Sequence, residues 1–396
     1  MAMQPLKGIK VLDLSKVVAG PLCAQYLGEL GADVVKVEPV AGGDDTRSWL
    51  PQDHGQSAVF MALNHNKRSI AVDLKTAAGR EVVHKLARGA DVVLQGFSGG
   101  TAKKLGVDYE TLRVGNSKLV YCEISGYGRE GPLGDAPGYD VMLQAFSGML
   151  STIGESDGNY ARASFSPVDV GTGMFAFAGV LAALLEREKT GNGGYVELAL
   201  LDTALGFMTY MAQSYWCTGS DPKPMGTGHP TMCPYQAFEA ADGPIMVGAG
   251  NDAQWRRFCS ATGLDDFVAH PDFATNAIRV KNMGKTVALV QQKMRTKTIA
   301  EWVECLGEAN VPCSPVHKLS EALAHPQVDA RGLIYETTHP ALGRLRQIGL
   351  PVKFQNQPRS ANSPPPLLGQ HSDQILFELG YAVDEIQGLR KTGAIA

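Results

Sequence analysis

The sequence has no CxxC pair, no Cys/His spacing that would hold zinc, no internal repeat and no long apolar run. Each absence closes a class. Seven scattered cysteines, an odd number, make a poor disulfide framework and suit a reducing compartment. The longest apolar stretch, Met174 to Leu185, is about a dozen residues, short of the roughly 20 that span a bilayer. The opening "MAMQPLKGIKVLDLS" lacks the charged-then-apolar layout of a signal peptide. Charge is balanced, 36 Lys and Arg against 40 Asp and Glu, so neither nucleic acid nor a membrane surface is indicated as a partner. These features set the expectation of a cytoplasmic enzyme.

What is present is an ordinary globular balance, 44% apolar and 19% charged over 396 residues, a length that predicts two domains. Strand and helix signals alternate through the first third. "GIKVLDL" (8–14), "DVVKVE" (33–38), "ADVVLQGF" (90–97) and "KLVYCEISGY" (118–127) read as buried strands. "PLCAQYLGEL" (21–30) and "TAAGREVVHKLARG" (76–89) read as helices closed by glycine. This alternation implies βαβ units in a parallel, doubly wound sheet, an α/β fold. Ligands in such sheets sit beyond the C-terminal strand ends. The loops "AGGDDTRSW", "GFSGGTAKK" and "GYGREGPLG" follow those ends and are the candidate site loops. A helix is predicted over 174–189, then strand and helix over 193–205. A Gly/Pro-rich linker follows, then a hairpin over 236–250 with an Asp-Gly turn, and amphipathic helices to about 308. "ANSPPPLLGQHSD" (361–373) reads as a proline-stiffened return before a last helix.

Asp169, in "SFSPVDVGTG", stands just before the apolar helix. One reading makes it the helix cap. The other uses the same position for chemistry: backbone N–H groups at a helix start favour an oxyanion, and a carboxylate there is a candidate nucleophile toward an acyl carbon. Gly171 and Gly173 would leave room for a bulky ligand. "GTGMFA" (171–176) also fits the dinucleotide fingerprint, but no Val/Ile-rich strand precedes it, which weighs against NAD. Lys75, Lys103, Lys104, Arg47 and Arg68 lie in or near the candidate loops and together suit a phosphorylated ligand. Asp44 and Asp45 could hold a metal, but no second carboxylate cluster supports one, so no metal site is expected. His229, in "GTGHP", lies in a Gly-rich loop near the domain boundary; the plainer reading is a loop histidine hydrogen-bonded to backbone. Cys23, Cys122 and Cys233 read as buried packers.

Several long blocks resemble the class III CoA-transferases, the CaiB/BaiF family. They are "LKGIKVLDLSKVVAGPLCAQYLGELGADVVKVEPVAGGDDTRSW", "NHNKRSIAVDLKTAAGRE", "GYGREGPLGDAPGYDVMLQAFSGML", "GVLAALLEREKTGNGGYVELALLDTAL" and "PPPLLGQHSDQIL". The resemblance implies a Rossmann-like large domain built from both ends of the chain, 1–215 with 330–396. It implies a smaller α+β domain at 225–325, linkers near 216–224 and 326–329, and an interlocked homodimer. Asp169 would be the catalytic residue, forming a mixed anhydride with the acyl group and then an aspartyl-CoA thioester. Coenzyme A thioester would be a substrate, with no permanently bound cofactor. Its contacts would be Val17, Val18, Val72, Asp73, Leu74, Lys75, Gly96, Phe97, Ser98, Lys103, Lys104 and Tyr139. Pro39 replaces an arginine common in the family, which puts one phosphate contact in doubt.

The acceptor is expected to be a short dicarboxylic acid and the donor succinyl-CoA, with Arg47, Gly226, Gly228 and His229 as candidate contacts to the acid. The loops "MGTGHP" and "VGAGND" lack the glycine run of formyl-CoA transferases. A 2-methylacyl-CoA racemase is the alternative. It would need a histidine where Tyr139 stands, and a tyrosine, with a reference pKa near 10, is a poor base. A non-catalytic CoA-binding protein is the third reading.

Overall fold

A computed structural model describes residues 3–134, 136–355 and 362–396. The chain divides into two units: Met1–Leu150 with Arg162–Ser220 and Arg331–Ala396, and Ser151–Ala161 with Asp221–Ala330.

The larger unit is built on six parallel strands: β1 Lys10–Asp13, β2 Asp33–Glu38, β3 Lys67–Ala71, β4 Val92–Gln95, β5 Val120–Ser125 and β6 Gly194–Ala199. Their order is β3-β2-β1-β4-β5-β6, the doubly wound arrangement that reverses between β1 and β4. Leu12 on β1 is in register with Val35 on one side and Val93 on the other. Strands β2 and β4 are almost wholly buried, as helices on both faces of a parallel sheet require; β4 is apolar up to Gln95, while β2 buries Lys36 and Glu38 along with its valines. The helices that matter here are α1 Ala19–Glu29, α2 Ala77–Arg88, α3 Asp140–Phe146, α4 Pro167–Thr190 and α5 Leu200–Phe207. Helix α2 starts where the Thr76 hydroxyl accepts the Gly79 N–H at 2.9 Å, and it ends at Gly89 with Lys85 and Arg88 in its last turn.

Helix α4 runs 24 residues, longer than the 174–189 expected, because Pro167 can open a helix at its first position. By length and composition it could cross a membrane. Here it lies against α1 and α5, and its glycines explain the fit. A Cβ on Gly173 would sit 2.6 Å from the Ala19 carbonyl oxygen, and one on Gly171 would sit 2.2 Å from the Phe207 ring. The two glycines therefore serve close helix packing, not ligand approach as the sequence reading had it. Since both lie inside the helix, "GTGMFA" forms no phosphate-binding turn.

Strand β3 was not predicted. It opens with Lys67 and Arg68, which hide a buried strand behind a polar signature. The C-terminal return, described from Asn362 onward, leads into α9 Ser372–Glu378 and α10 Val383–Lys391; Ala361 lies outside the described residues. Ile375, Leu376, Ile386 and Ile395 join Leu12, Ile70, Val93 and Tyr121 in one core. Both ends of the chain thus complete the larger unit.

In the smaller unit the hairpin forms as expected: β7 Tyr235–Glu239 pairs antiparallel with β8 Pro244–Gly248 across the Asp242-Gly243 turn, and β9 Cys313–Pro315 adds to β8. Helices α6 Asp252–Thr262, α7 Met283–Met294 and α8 Ile299–Glu308 cover the sheet around Trp255, Phe258 and Trp302. Residues 151–161, placed with the larger domain in the sequence reading, group here. Ala161 donates to Ile153 at 2.9 Å and Gly226 to Gly154 at 2.8 Å.

Candidate active site

Asp169 is not the cap of its helix. The chain enters α4 through Ser166, whose φ of 52° lies in the left-handed region and whose side chain caps nothing. Pro167 has no N–H to offer. The first free donors, the N–H groups of Val168 and Asp169, both go to one oxygen of Asp140, at 2.8 and 3.0 Å. The other Asp140 oxygen accepts from the Gln144 amide. Gln144 in turn exchanges two hydrogen bonds with the Ala163 backbone, 3.0 Å as acceptor and 3.2 Å as donor. Asp140 and Gln144 are buried and Asp169 is half-buried. No hydrogen bond or ion pair engages the Asp169 carboxylate among the described residues. Burial first, and then the negative charge of Asp140, push its pKa up to about 7. At neutral pH such a carboxylate is roughly half ionised, and it carries more basicity than an ordinary aspartate.

Most of the other sequence-derived candidates in the larger unit follow the C-terminal ends of its strands. Val17 and Val18 join β1 to α1. Val17 holds φ at 71°, costly for a β-branched residue, and its N–H is tied to Asp44 at 3.3 Å. Val72, Asp73, Leu74 and Lys75 follow β3. The side chain of Val72 belongs to the core and its N–H donates to the Glu38 carbonyl at 2.8 Å, so neither is free for a ligand. Asp73 donates to Ala394 at 2.9 Å, and Arg80 reaches the carbonyls of Leu74 and Lys75 at 3.2 and 3.0 Å. The loop is thereby held open toward solvent at Lys75.

Gly96, Phe97 and Ser98 follow β4. Gly96 and Ser98 are exposed, and the Phe97 carbonyl is pinned by Arg129 at 2.7 Å. Lys103 and Lys104, on the short helix Thr101–Leu105, are both exposed, with no ion-pair partner among the described residues. Tyr139 precedes α3, is 63% exposed, and adjoins the Asp140 that touches the start of α4. Backbone connectivity thus links the Tyr139 loop to Asp169.

Arg47 is corrected as a substrate contact. Its guanidinium binds Glu38 through two bonds of 2.6 and 2.7 Å, donates to the Pro366 carbonyl at 3.2 Å and lies 3.6 Å over the Phe60 ring. A group so engaged has little left for a substrate carboxylate. It belongs to a buried network under the strand ends: Lys36 pairs with Asp44 at 2.9 Å, and Lys67 with Asp13 at 3.0 Å. Asp44, considered above for a metal, is spent on Lys36, Val17 and Thr46. Its pKa is depressed to about 2, because these partners outweigh the burial that opposes them.

Gly226, Gly228 and His229 lie in the smaller unit. His229 accepts the Thr231 N–H at 3.2 Å and meets Tyr235 edge-on. That is the plainer loop-histidine arrangement. Gly226, at φ 59°, supplies a turn.

The sequence reading missed Asp140 and Gln144. Only contacts across 29 residues of chain for Asp140 and 19 for Gln144 reveal them, and no spacing rule marks such partners.

With this geometry in hand, comparison with known proteins is specific. A family model described as "CoA-transferase family III" matches residues 6–372. A succinyl-CoA:glutarate CoA-transferase from Mus musculus is 36% identical over 397 residues, covering 100% of this chain and 91% of that protein. A succinate–glutarate CoA-transferase from Agrobacterium fabrum is 37% identical, covering 95% and 96%. Among solved structures, a CaiB/BaiF family protein from Brucella suis superposes with a TM-score of 0.85 at 35% identity, covering 95% and 99%.

Proposed function

The chain belongs to CoA-transferase family III and is a CoA-transferase, and we propose that Asp169 is the residue on which it exchanges CoA between short dicarboxylic acids. The observation that carries this is the half-buried Asp169 carboxylate at the start of α4, which no hydrogen bond or ion pair engages among the described residues and whose N–H is held by Asp140. Asp169 attacks the thioester carbonyl of the donor, the C–S bond breaks, and CoA leaves as thiolate. The thiolate attacks the aspartyl carbon of the mixed anhydride, releasing the donor acid and leaving an aspartyl-CoA thioester. The acceptor carboxylate and the thiolate then run the two steps in reverse. No proton is consumed, so no separate general base is needed.

Glutarate and succinate in the names of the relatives support succinyl-CoA as donor and a dicarboxylate of four to six carbons as acceptor. Arg47, committed to Glu38, is set aside as the partner of the distal carboxylate. Lys75, Lys103 and Lys104 remain candidates for the CoA phosphates. Large exposed apolar side chains on α3, α4 and α5, among them Met142, Phe146, Phe175 and Phe207, support an obligate homodimer that buries them. Seven free thiols support a reducing compartment, and we place the enzyme in the cytoplasm.

The deciding experiment is mass spectrometry after incubation with succinyl-CoA and trapping with hydroxylamine or borohydride. A modification on the Asp169 peptide, absent from Asp169→Ala, is expected. An adduct on another residue, or full glutarate-dependent turnover by Asp169→Ala, would sink the assignment.

A further inference from the structure

We propose that Asp140 is a positioning residue for the transfer reaction: by accepting the N–H groups of Val168 and Asp169 from a neighbouring helix, it fixes the first turn of α4 and with it the place of the Asp169 carboxylate. The proposal rests on the reading of Asp169 as nucleophile.

Four other helices start in a different way. In each, the third residue turns back and accepts the N–H of the cap residue: Gln254 from Asn251 at 3.4 Å, Glu301 from Thr298 at 2.8 Å, Glu321 from Lys318 at 2.8 Å and Glu385 from Ala382 at 2.7 Å. Asp169 holds that same third position in α4, after Ser166, Pro167 and Val168. Those four side chains accept the N–H of the cap residue, whereas in α4 the Asp169 side chain makes no such bond and the N–H groups of Val168 and Asp169 go to Asp140. It comes from a different helix, α3, and satisfies two donors with one oxygen. Gln144, one turn along α3, fixes the other oxygen and anchors itself to Ala163 just ahead of the helix. The arrangement is rigid because Asp140 and Gln144 are both buried, at 6% and 0% exposure.

A second consequence is electrostatic. Asp140 is the only charged side chain that bears on the ionisation of Asp169 among the described residues, and like charge raises it further. Removing that charge should shift the acid limb of the rate profile, whereas a role confined to folding would leave the limb where it is.

The test compares Asp140→Asn and Asp140→Ala with the natural protein, each checked for an unchanged melting profile and dimer mass. For Asp140→Asn, which keeps the shape and one acceptor, the acid limb of kcat against pH should move down by about half a unit or more. For Asp140→Ala, kcat should fall about 10- to 100-fold while KM for succinyl-CoA changes less than about threefold, the mark of a misplaced nucleophile with intact CoA binding. Trapping of the Asp169 adduct should slow in parallel. An unchanged limb in Asp140→Asn together with unchanged trapping in Asp140→Ala would overturn the proposal and leave Asp169 intact as nucleophile. Absence of any Asp169 adduct in the natural protein would instead remove the reading beneath it. If Asp140→Ala fails to fold, the Asn variant alone decides through its limb.

Discussion

Helices α4 and α8 each carry an acidic residue at their third position, and the two residues have opposite fates. Glu301 in α8 folds back onto Thr298, accepting its N–H and hydroxyl at 2.8 Å each. Its pKa falls, with the backbone N–H as the main cause, because those bonds favour the charged form. Asp169 in α4 makes no such bond, loses solvent and faces Asp140, and its pKa rises to about 7. The residue position is the same in both helices. What differs is the partner of that residue's own N–H: in α8 it is the Thr298 hydroxyl of the same helix, which Glu301 grips in return, and in α4 it is Asp140 of another helix. A satisfied acid is stabilised and inert; an unsatisfied one is strained toward reaction.

The sharpest way to break this contrast is to remove the two acids separately. Asp169→Ala should lose at least about 10³-fold in transfer rate, as loss of a covalent nucleophile does, and Glu301→Gln should leave turnover unchanged. Equal losses in a succinyl-CoA to glutarate assay would mean that the difference between the helix starts is structural only. Stability should then separate them with opposite sign. The folded chain carries Asp169 with its pKa raised from the ordinary 3.8 to about 7. Above pH 7 the buried charge is a penalty. Below pH 4 the residue is protonated in both states and no penalty remains. Three units correspond to roughly 4 kcal/mol, and partial exposure discounts that to about 1–3 kcal/mol. Asp169→Asn should therefore be more stable than the natural protein at pH 8, by an amount that shrinks as pH falls through 7 and vanishes near 4. Denaturant melts at pH 8 and pH 5 read this directly. A stability difference that does not depend on pH would mean that Asp169 is not held at unusual cost.

Much of the scaffold behind this contrast was legible in the sequence. Strand β2 falls where "DVVKVE" predicted, since Val34, Val35 and Val37 carry the strand signal even though Lys36 and Glu38 are buried with them. Helix α2 falls within a residue of its predicted ends, since Thr76 and Gly89 mark them. Strand β3 was not legible, because Lys67 and Arg68 begin it. Lys67 is buried only because Asp13, Asn64 and the Pro21 carbonyl wait for it, and only Asn64 is near in sequence. At the site, the place of Asp169 could be read but its state could not. An aspartate ahead of an apolar helix looks like a cap until Asp140, 29 residues earlier, is found in that role. Arg47 failed as a substrate contact for the same kind of reason: Glu38 and Phe60 claim it through tertiary contacts. Local patterns identify residues that are chemically able. Long-range contacts decide which of them are left free.

The smallest expected effect sharpens the quiet side of the comparison. The Thr298 hydroxyl caps α8 by accepting the Glu301 N–H at 3.3 Å, while its own N–H goes to the Glu301 carboxylate. Thr298→Ala should cost about 1 kcal/mol of stability, the usual value of a helix cap, with no change in kcat. The lowered pKa of Glu301 adds a direction in pH. Its stabilising bond is present while it is ionised and is lost as pH falls through the acid range. The gap between Thr298→Ala and the natural protein should therefore narrow toward low pH, because protonation weakens the same capping box from its other side. The Asp169→Asn gap narrows on acidification as well, but there the variant is the more stable protein. Urea titrations of both variants across one pH series would show the two gaps closing from opposite sides. If Thr298→Ala costs nothing at neutral pH, the capping box in α8 contributes no stability, and the free carboxylate of α4 loses the satisfied counterpart against which it is judged.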